Sequence, residues 1–177
     1  MQKNIVLTLT GPDKIGLVEN VSRIVVDHGG NIEASRMAHL GGEFSMLMFI
    51  RINDEQVNEL IENLGKLAAE GYKLTNTVTT KGDPARYKGW VPYEIEVTGA
   101  DHEGIINKVA GFLSQAGFNI ETINTNTVTA PVSGTELFTM DAIFLVPADK
   151  PFAVWHKSLQ HLGEKLNVEI EVAPFKG

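Results

Sequence analysis

The sequence predicts an α+β protein made of two tandem βαββαβ modules, each a four-stranded antiparallel sheet with two helices on one face. Three observations lead to this fold class: a segment that repeats at a fixed offset, strand-like alternation of apolar and polar residues, and helix-like spacing of apolar residues. The composition agrees, because 43% hydrophobic and 21% charged residues are ordinary for a globular protein.

The repeat begins at Gly11–Gly16, which resembles Gly99–Gly104 at an offset of 88 residues. No gap is needed until the hairpin that follows, and the offset also pairs Asn31-Ile32-Glu33 with Asn119-Ile120-Glu121. Phe44-Ser45-Met46 then matches Phe138-Thr139-Met140 at an offset of 94. The second copy therefore carries about six additional residues around 129–134, in a hairpin loop where insertions are tolerated.

The first copy reads as six elements. An alternating strand, Lys3–Thr10, precedes a helix whose apolar face begins at Leu17 and which ends at His28-Gly29-Gly30. Two strands follow, Ile32–His39 and Glu43–Ile52, joined by a Gly41-Gly42 turn. A helix capped by Asn53 or Asp54 comes next, and Tyr72–Thr80 is the last strand.

The second copy repeats this order. Its strands are predicted at Tyr93–Thr98, Asn119–Thr127, Leu137–Val146 and Val168–Val172, with one helix near Ile105–Leu113 and another opened by Pro151. Residues 81–92 contain two glycines and two prolines and are predicted to be a linker. The expected organisation is a first domain at 1–80, a linker at 81–92 and a second domain at 93–177.

One strand is apolar on both faces. Met46, Leu47, Met48, Phe49 and Ile50 leave no polar side for solvent. The face or edge of the sheet away from the helices therefore needs a partner, which is either the twin module or a second chain. A homodimer is expected on this ground.

Composition also excludes several functions. The net charge of -7 and the lack of a Lys/Arg run argue against direct nucleic-acid binding. The absence of cysteine rules out disulfides, thiolate metal sites and a cysteine nucleophile. No signal peptide, membrane span, nucleotide-binding glycine motif, metal-ligand spacing or hydrolase triad is recognisable, so no cofactor is expected and the cytoplasm is the default location.

The loop before the first helix is the candidate binding site. Backbone N–H groups at a helix N-terminus attract a carboxylate, Gly16 allows close approach of a ligand, and Asp13 can accept a hydrogen bond from an ammonium group. Asn31 could place its amide near the same spot, which would suit an amino acid. In the structural alternative, Asp13 caps the helix and the glycines and Asn31 serve turns.

The Gly-x-Asp-x-x-Gly loops and the Gly-x-Asn-Ile turn resemble those of ACT domains, ferredoxin-like regulatory modules that bind amino acids at interfaces between copies. The first copy is more particular. Its segments Leu9–Val18 and Gly30–Phe44, which include Gly30-Asn31-Ile32-Glu33-Ala34-Ser35-Arg36, resemble the glycine cleavage system transcriptional repressor group. That group has two tandem ACT domains and no DNA-binding domain.

The resemblance implies which residues would contact a small amino acid, glycine or serine above all. They are Asp13, Ile15, Gly16, Leu17, Asn31 and Ile32 in the first copy, and Asp101, Gly104, Ile105 and Asn119 in the second. Family members often have proline before the loop glycine, where this chain has Ile15 and Glu103. Glu103 would repel a bound carboxylate and Phe118 would crowd the second pocket, so the first copy is the expected binder.

The resemblance implies a non-catalytic amino-acid sensor that regulates glycine or one-carbon metabolism genes by contacting a transcription factor. Two alternatives stay open. The chain is a ligand-independent interaction module, or it is a regulatory subunit that serves a metabolic enzyme in trans.

Overall fold

The computed structural model describes residues 1–80, 85–130 and 134–176. The chain divides into two compact units, Met1–Gly82 and Asp83–Gly177. Each unit has the element order βαββαβ and a four-stranded antiparallel sheet. The fold class predicted from the sequence is therefore confirmed.

The first unit has the sheet order β2-β3-β1-β4, so the first strand is central and the hairpin and the last strand flank it. Short 3-10 turns precede and follow its second helix, at Asp54–Gln56 and Lys66–Glu70. Its elements are β1 (Gln2–Pro12), α1 (Leu17–Asp27), β2 (Asn31–Leu40), β3 (Glu43–Asn53), α2 (Val57–Gly65) and β4 (Lys73–Thr79).

The second unit repeats this arrangement with the order β6-β7-β5-β8. Its elements are β5 (Val91–Ala100), α3 (Ile105–Gln115), β6 (Asn119–Thr129), β7 (Glu136–Val146), α4 (Phe152–Leu166) and β8 (Val168–Pro174). The β6–β7 hairpin holds the predicted insertion, of which residues 131–133 lie outside the described part of the chain.

Strict alternation creates the core of each unit. Ile5, Leu7 and Leu9 of β1 point to the helix side of the sheet and are at most 2% exposed. Apolar residues of α1 and α2 complete this core from the other side, among them Val21, Val25, Leu60 and Leu64. The second unit buries the equivalent positions Ile95 and Val97 against its own helices. Each unit therefore has a hydrophobic core of its own.

The two sheets agree in detail with the sequence repeat. Leu9 pairs with Met46 in the first sheet, and Val97 pairs with Met140 in the second, which reproduces both offsets. A β-bulge interrupts β2 between Ile32 and Ala34 and β6 between Ile120 and Thr122, again 88 residues apart. Such bulges are specific features of a strand pair, so their repetition shows that the copies share one backbone design.

Two local predictions were wrong. Neither Asn53 nor Asp54 caps α2, because a 3-10 turn comes first and no side-chain capping bond forms there. Asp54 instead lies 2.6 Å from Lys3 Nζ. The strand expected from Tyr93 begins at Val91, inside the predicted linker, because Val91 and Pro92 pair with Val146 and Leu145 of β7. Apolar pairing outweighs the turn-like composition at that point.

Candidate functional site

The β1–α1 loop ends in a left-handed glycine. Gly16 is the N-cap of α1, with φ +88°, and no side chain caps the helix. The Asn20 amide bonds to the Gly16 carbonyl at 2.9 Å. The first turn of a helix presents amides without intrahelical acceptors, and these favour an anionic group. The alternative in which Asp13 caps this helix is therefore not what the structure has.

The two loop glycines serve different purposes. A Cβ on Gly11 would lie 2.5 Å from Tyr72 Cδ1, so this glycine lets β4 pack closely on β1. A Cβ on Gly16 would meet nothing within 4 Å, so Gly16 is needed for its positive φ rather than for space. Gly99 and Gly104 repeat both roles in the second unit.

A small cleft lies beside the N-terminus of α1 in the first unit. Its volume is about 120 Å³. One wall comes from the β1–α1 loop and the first turn of α1, and the other from the segment that leads into β4. The lining residues are Lys14, Ile15, Gly16, Leu17, Asn20, Leu67, Glu70 and Tyr72.

Opposite charges face each other in this cleft. Lys14 Nζ donates a hydrogen bond to Glu70 Oε2 at 2.8 Å. The hydrogen bond that Lys14 donates to Glu70, followed by the negative charge of Glu70, raises the pKa of Lys14 above its usual value. Both side chains are substantially solvent-accessible, at 64% and 45%, so the pair is easily exchanged for other partners.

A buried hydroxyl without a partner lies in the wall of the same cleft. Tyr72 is 3% exposed, and its Oη has no hydrogen-bond partner. A buried polar group is normally hydrogen-bonded, because leaving it unpaired costs about 1–3 kcal/mol. Tyr72, which lines the cleft together with Lys14 and Glu70, therefore retains an unused buried hydroxyl.

The residues predicted from the sequence fall at three different places. Ile15, Gly16 and Leu17 line the cleft, with Ile15 fully exposed and Leu17 buried. Asp13 is exposed in the loop but is not among the lining residues. Asn31 and Ile32 lie elsewhere, at the start of β2.

Strand register separates Asn31 from the loop. Asn31 pairs with Arg51, which pairs with Asn4, whereas Gly11 is seven residues further along β1. At about 3.3 Å per residue, that places the amide about 23 Å from the loop end of the sheet. The expectation that Asn31 approaches the same spot as Asp13 is therefore wrong within one unit.

Among its described residues, the second unit has no counterpart of the charged cleft. His102 occupies the position of Lys14 at the 88-residue offset, and its Nε2 lies 2.7 Å from the Leu166 carbonyl oxygen. This contact and a second one to the Glu103 carbonyl raise the pKa of His102. Asp101 and Gly104 are exposed in the loop and Ile105 is buried. No second carboxylate–ammonium pair faces this loop among the described residues.

Asn119 and Phe118 serve the structure of the second unit. Asn119 accepts a hydrogen bond from the Tyr87 hydroxyl at 3.0 Å and donates one to Glu121. Phe118 is 7% exposed and stacks on Phe144 in the core. Since Phe118 precedes Asn119 at the end of the sheet away from the loop, the expectation that it crowds a loop pocket is wrong.

Sequence reasoning missed three residues that the structure brings together. Lys14 was passed over inside the loop motif, and Glu70 and Tyr72 lie more than fifty positions away in a segment read as a helix end and a strand start. Periodicity carried no signal for them, because their proximity to the loop depends on the pairing of β4 with β1.

Two further searches give negative results for the described ranges. Residues 1–80, 85–130 and 134–176 contain no group of three or more His, Asp or Glu side chains arranged to hold a metal ion. Within those ranges, no helix combines the length and the apolar character needed to cross a membrane.

Comparison with known proteins gives similarities at three levels. A family model of the ACT domain matches residues 3–75. Over 121 residues the chain is 31% identical to the glycine cleavage system transcriptional repressor of Escherichia coli (strain K12). The matched segment covers 67% of this chain and 62% of that protein. The matched part is thus less than two thirds of the length of that relative.

Solved structures extend the similarity to the whole chain. An unknown protein from Galdieria sulphuraria is 27% identical, with a TM-score of 0.82 and 99% of each chain covered. A candidate glycine cleavage system transcriptional repressor is 22% identical, with a TM-score of 0.71 over 100% of this chain and 99% of that chain. The second likeness concerns the fold alone.

Proposed function

Because the chain is a tandem ACT-domain protein that resembles glycine cleavage system transcriptional repressors, we propose that it is a non-catalytic regulatory protein. It senses a small amino acid, glycine or serine first of all, and controls genes of glycine or one-carbon metabolism in the cytoplasm. It does so by contacting a protein, a transcription factor, and not by binding DNA itself, since its net charge of -7 disfavours a nucleic-acid partner.

The cleft of the first unit carries this proposal. The Lys14 ammonium and the open amides of α1 are suited to a carboxylate, and the Glu70 carboxylate is suited to an ammonium group. A zwitterion would exchange the Lys14–Glu70 pair for two pairs with itself. The Tyr72 hydroxyl offers one further hydrogen bond.

The size of the cleft supports a small ligand. The cleft, at about 120 Å³, is small, which suits a ligand of few non-hydrogen atoms such as glycine or serine better than one with a large side chain. Leucine and phenylalanine are therefore expected to be excluded.

The residues expected from the family resemblance take different parts in this proposal. Ile15, Gly16 and Leu17 border the ligand, and Asp13 lies next to them in the loop. Asn31 and Ile32 contribute only if a second copy supplies them, because of their distance from the loop within one unit. The second unit would use Asp101, Gly104 and Ile105 for a weaker site, since His102 replaces the cleft's ammonium group. Asn119, like Asn31, would contribute only if a second copy supplies it.

Ligand binding regulates only if it distinguishes two states. An amino acid that binds one arrangement of the protein better than another shifts the population toward it by the difference in binding free energy. The exposed Lys14–Glu70 pair, which the ligand replaces, connects the loop to the segment before β4 and is the element through which such a shift would begin.

Titration calorimetry with glycine, serine, alanine, leucine and phenylalanine tests the sensor. Saturable heat is expected for the small amino acids and none for the large ones. Lys14→Met and Glu70→Gln are expected to weaken binding at least about tenfold, or about 1.4 kcal/mol. The matched controls Lys66→Met and Glu62→Gln, exposed on α2 and the turn that follows it, should bind like the wild type. A lack of heat with every amino acid would overturn the proposal.

Affinity capture from the cytoplasm, with and without glycine, tests the partner. Ligand-dependent recovery of a transcription factor supports the proposal. Recovery of a metabolic enzyme would instead support a regulatory subunit acting in trans, and capture that no amino acid alters would support a ligand-independent interaction module. Recovery of DNA without protein would contradict the charge argument.

A further inference from the structure

Each sheet has one face covered by its helices and one open face. In the first unit the open face carries the strand residues that alternate with the core, such as Val6, Leu47 and Phe49. Leu47 is 45% exposed, although the residues on either side of it are at most 1% exposed. Together with Val6 and Phe49 it forms one apolar patch, and a contiguous apolar patch on a sheet face is typical of a binding surface.

The open face of the first unit is basic around its apolar centre. A hollow of about 240 Å³ includes Val6, Leu47 and Phe49, with Arg36 in its lining. Arg51 lies two residues after Phe49 on β3 and so shares its face, and Lys73 is on the edge strand β4, opposite Thr10. Glu33 lies beside these groups, with its Oε1 2.7 Å from Arg51 Nη1. Glu43, at the start of β3, has the same strand parity as Leu47 and Phe49. This face therefore carries three cationic and two anionic groups at its described strand positions.

The open face of the second unit has the opposite charge. Ile143 and Leu145 form a partly buried apolar strip on β7. Around them, the strand positions that the structure describes carry carboxylates without any lysine or arginine: Glu94, Glu96, Asp141, Glu169 and Glu171.

Register makes this acidic face costly when it is left uncovered. Glu96 is directly opposite Asp141 on one side and Glu171 on the other, so three carboxylates lie abreast on three adjacent strands. Like charges directly opposite each other destabilise a sheet. Asp141 is relieved by a hydrogen bond from Asn124 Nδ2 at 2.7 Å, whereas no lysine or arginine lies at the described strand positions opposite Glu96 and Glu171.

We propose that the acidic open face of the second unit binds the basic open face of the first unit in a second copy of this chain. Each copy supplies one face of each kind, so two copies offer two such contacts. The apolar strips meet at the centre of each contact, and Arg36, Arg51 and Lys73 meet the carboxylates around them. This inference does not depend on which ligand the protein senses.

Charge reversal on each face, followed by mixing, tests the proposal. In one variant, Arg36→Glu with Lys73→Glu makes the first face acidic; in the other, Glu94→Lys with Glu171→Lys makes the second face basic. Sedimentation velocity on each variant alone should show the dimer weakened at least about tenfold, because like faces then meet. An equimolar mixture should restore a heterodimer, since both of its contacts again join opposite charges.

The control variant Lys66→Glu with Lys108→Glu lowers the net charge as much as Arg36→Glu with Lys73→Glu does, but at exposed helix positions away from the open faces. It should dimerise like the wild type. A monomeric wild type at every concentration, variants that dimerise normally, or a mixture that stays monomeric would each overturn the proposal. A mixture that stays monomeric would show that the open faces do not pair between copies.

Salt provides a measurement on the unaltered protein. Screening should weaken the wild-type dimer about tenfold or more between about 0.05 M and about 0.5 M NaCl. A wild-type dimer that is indifferent to salt would contradict the charge pairing even if the variants failed to fold.

Discussion

The β1–α1 loops of the two units have almost the same backbone but are tethered by different chemistry. In the first unit Lys14 reaches Glu70 by an ion pair at 2.8 Å. In the second unit His102, at the equivalent position, reaches the backbone carbonyl of Leu166 at 2.7 Å. Both contacts join the loop to the segment before the last strand. The mechanical connection is thus repeated, whereas the groups offered to a ligand are not.

This difference separates what the fold requires from what the chemistry requires. Gly11 and Gly99 both allow the last strand to approach, and Gly16 and Gly104 both adopt a positive φ. Those features must recur wherever this backbone recurs. The charged cleft belongs to the first unit, where Gly11 packs against Tyr72, whose hydroxyl has no partner. In the second unit Gly99 packs in the same way against Val168, which has no polar group to offer.

The largest expected effect comes from filling the space under the last strand. Gly11→Ala and Gly99→Ala each place a Cβ within 3.1 Å of the backbone Cα of Tyr72 or Val168. Each substitution should lower the free energy of unfolding of its own unit by about 1–3 kcal/mol. Chemical denaturation measures this. Gly65→Ala in α2, whose Cβ meets nothing within 4 Å, is the control and should not destabilise.

A somewhat smaller effect is expected where glycine is needed only for its conformation. Gly16→Ala and Gly104→Ala meet no atoms within 4 Å but must hold φ near +90°. The left-handed conformation costs a residue with a Cβ about 1–2 kcal/mol. Equal losses in the two units, measured in the same denaturation experiments, are expected, and a loss in one unit alone would show that the loops are not equivalent.

Tyr72→Phe should separate stability from binding in the first unit. Removing a buried hydroxyl without a partner is expected to leave the unfolding free energy unchanged or to raise it by up to about 1 kcal/mol. Glycine binding, measured by calorimetry, should weaken at the same time if the hydroxyl contacts the ligand. A clear loss of stability would mean that the hydroxyl already has a partner.

The smallest expected effect is a pH response of the second unit. Hydrogen bonds to the Leu166 and Glu103 carbonyls raise the pKa of His102 in the folded chain. The protonated form is therefore favoured by folding, and its contribution is complete below the unfolded pKa of about 6.5. It is lost as the pH rises through the higher folded value.

In the first unit the pKa of Lys14 is raised as well, but from a value far above neutrality, so the charge of Lys14 does not change between pH 5 and 8. The two sites should therefore differ over this range. Comparison of wild type with His102→Gln by denaturation at about pH 5.5 and about pH 8 measures the difference. As the pH rises, the wild type should lose a small part of its unfolding free energy that His102→Gln does not lose. An identical pH dependence of the unfolding free energy in the two proteins would contradict this prediction.

Several local outcomes show how far sequence reasoning reached. Apolar periods, turn residues and the internal repeat together located the twelve helices and strands of the described residues, with ends differing by a few residues. Periodicity worked where one face of an element is buried, because burial is recorded directly in the spacing. The cap of α2 was mispredicted, because Asp54 has a competing partner in Lys3, whose proximity is a tertiary fact. The proximity of Asn31 to the loop was mispredicted, because a helix returns the chain to the other end of the sheet.

The sequence by itself determined the duplication, the order of elements, the offsets between the copies and the glycines that the backbone requires. These are local or periodic properties, so residues close together in the sequence are enough to predict them. Only the tertiary structure decided that Lys14 meets Glu70 and lies close to Tyr72, and that Glu96 lies between Asp141 and Glu171. Such groupings depend on strand order and register, which bring distant positions to one place and set the face on which each side chain stands.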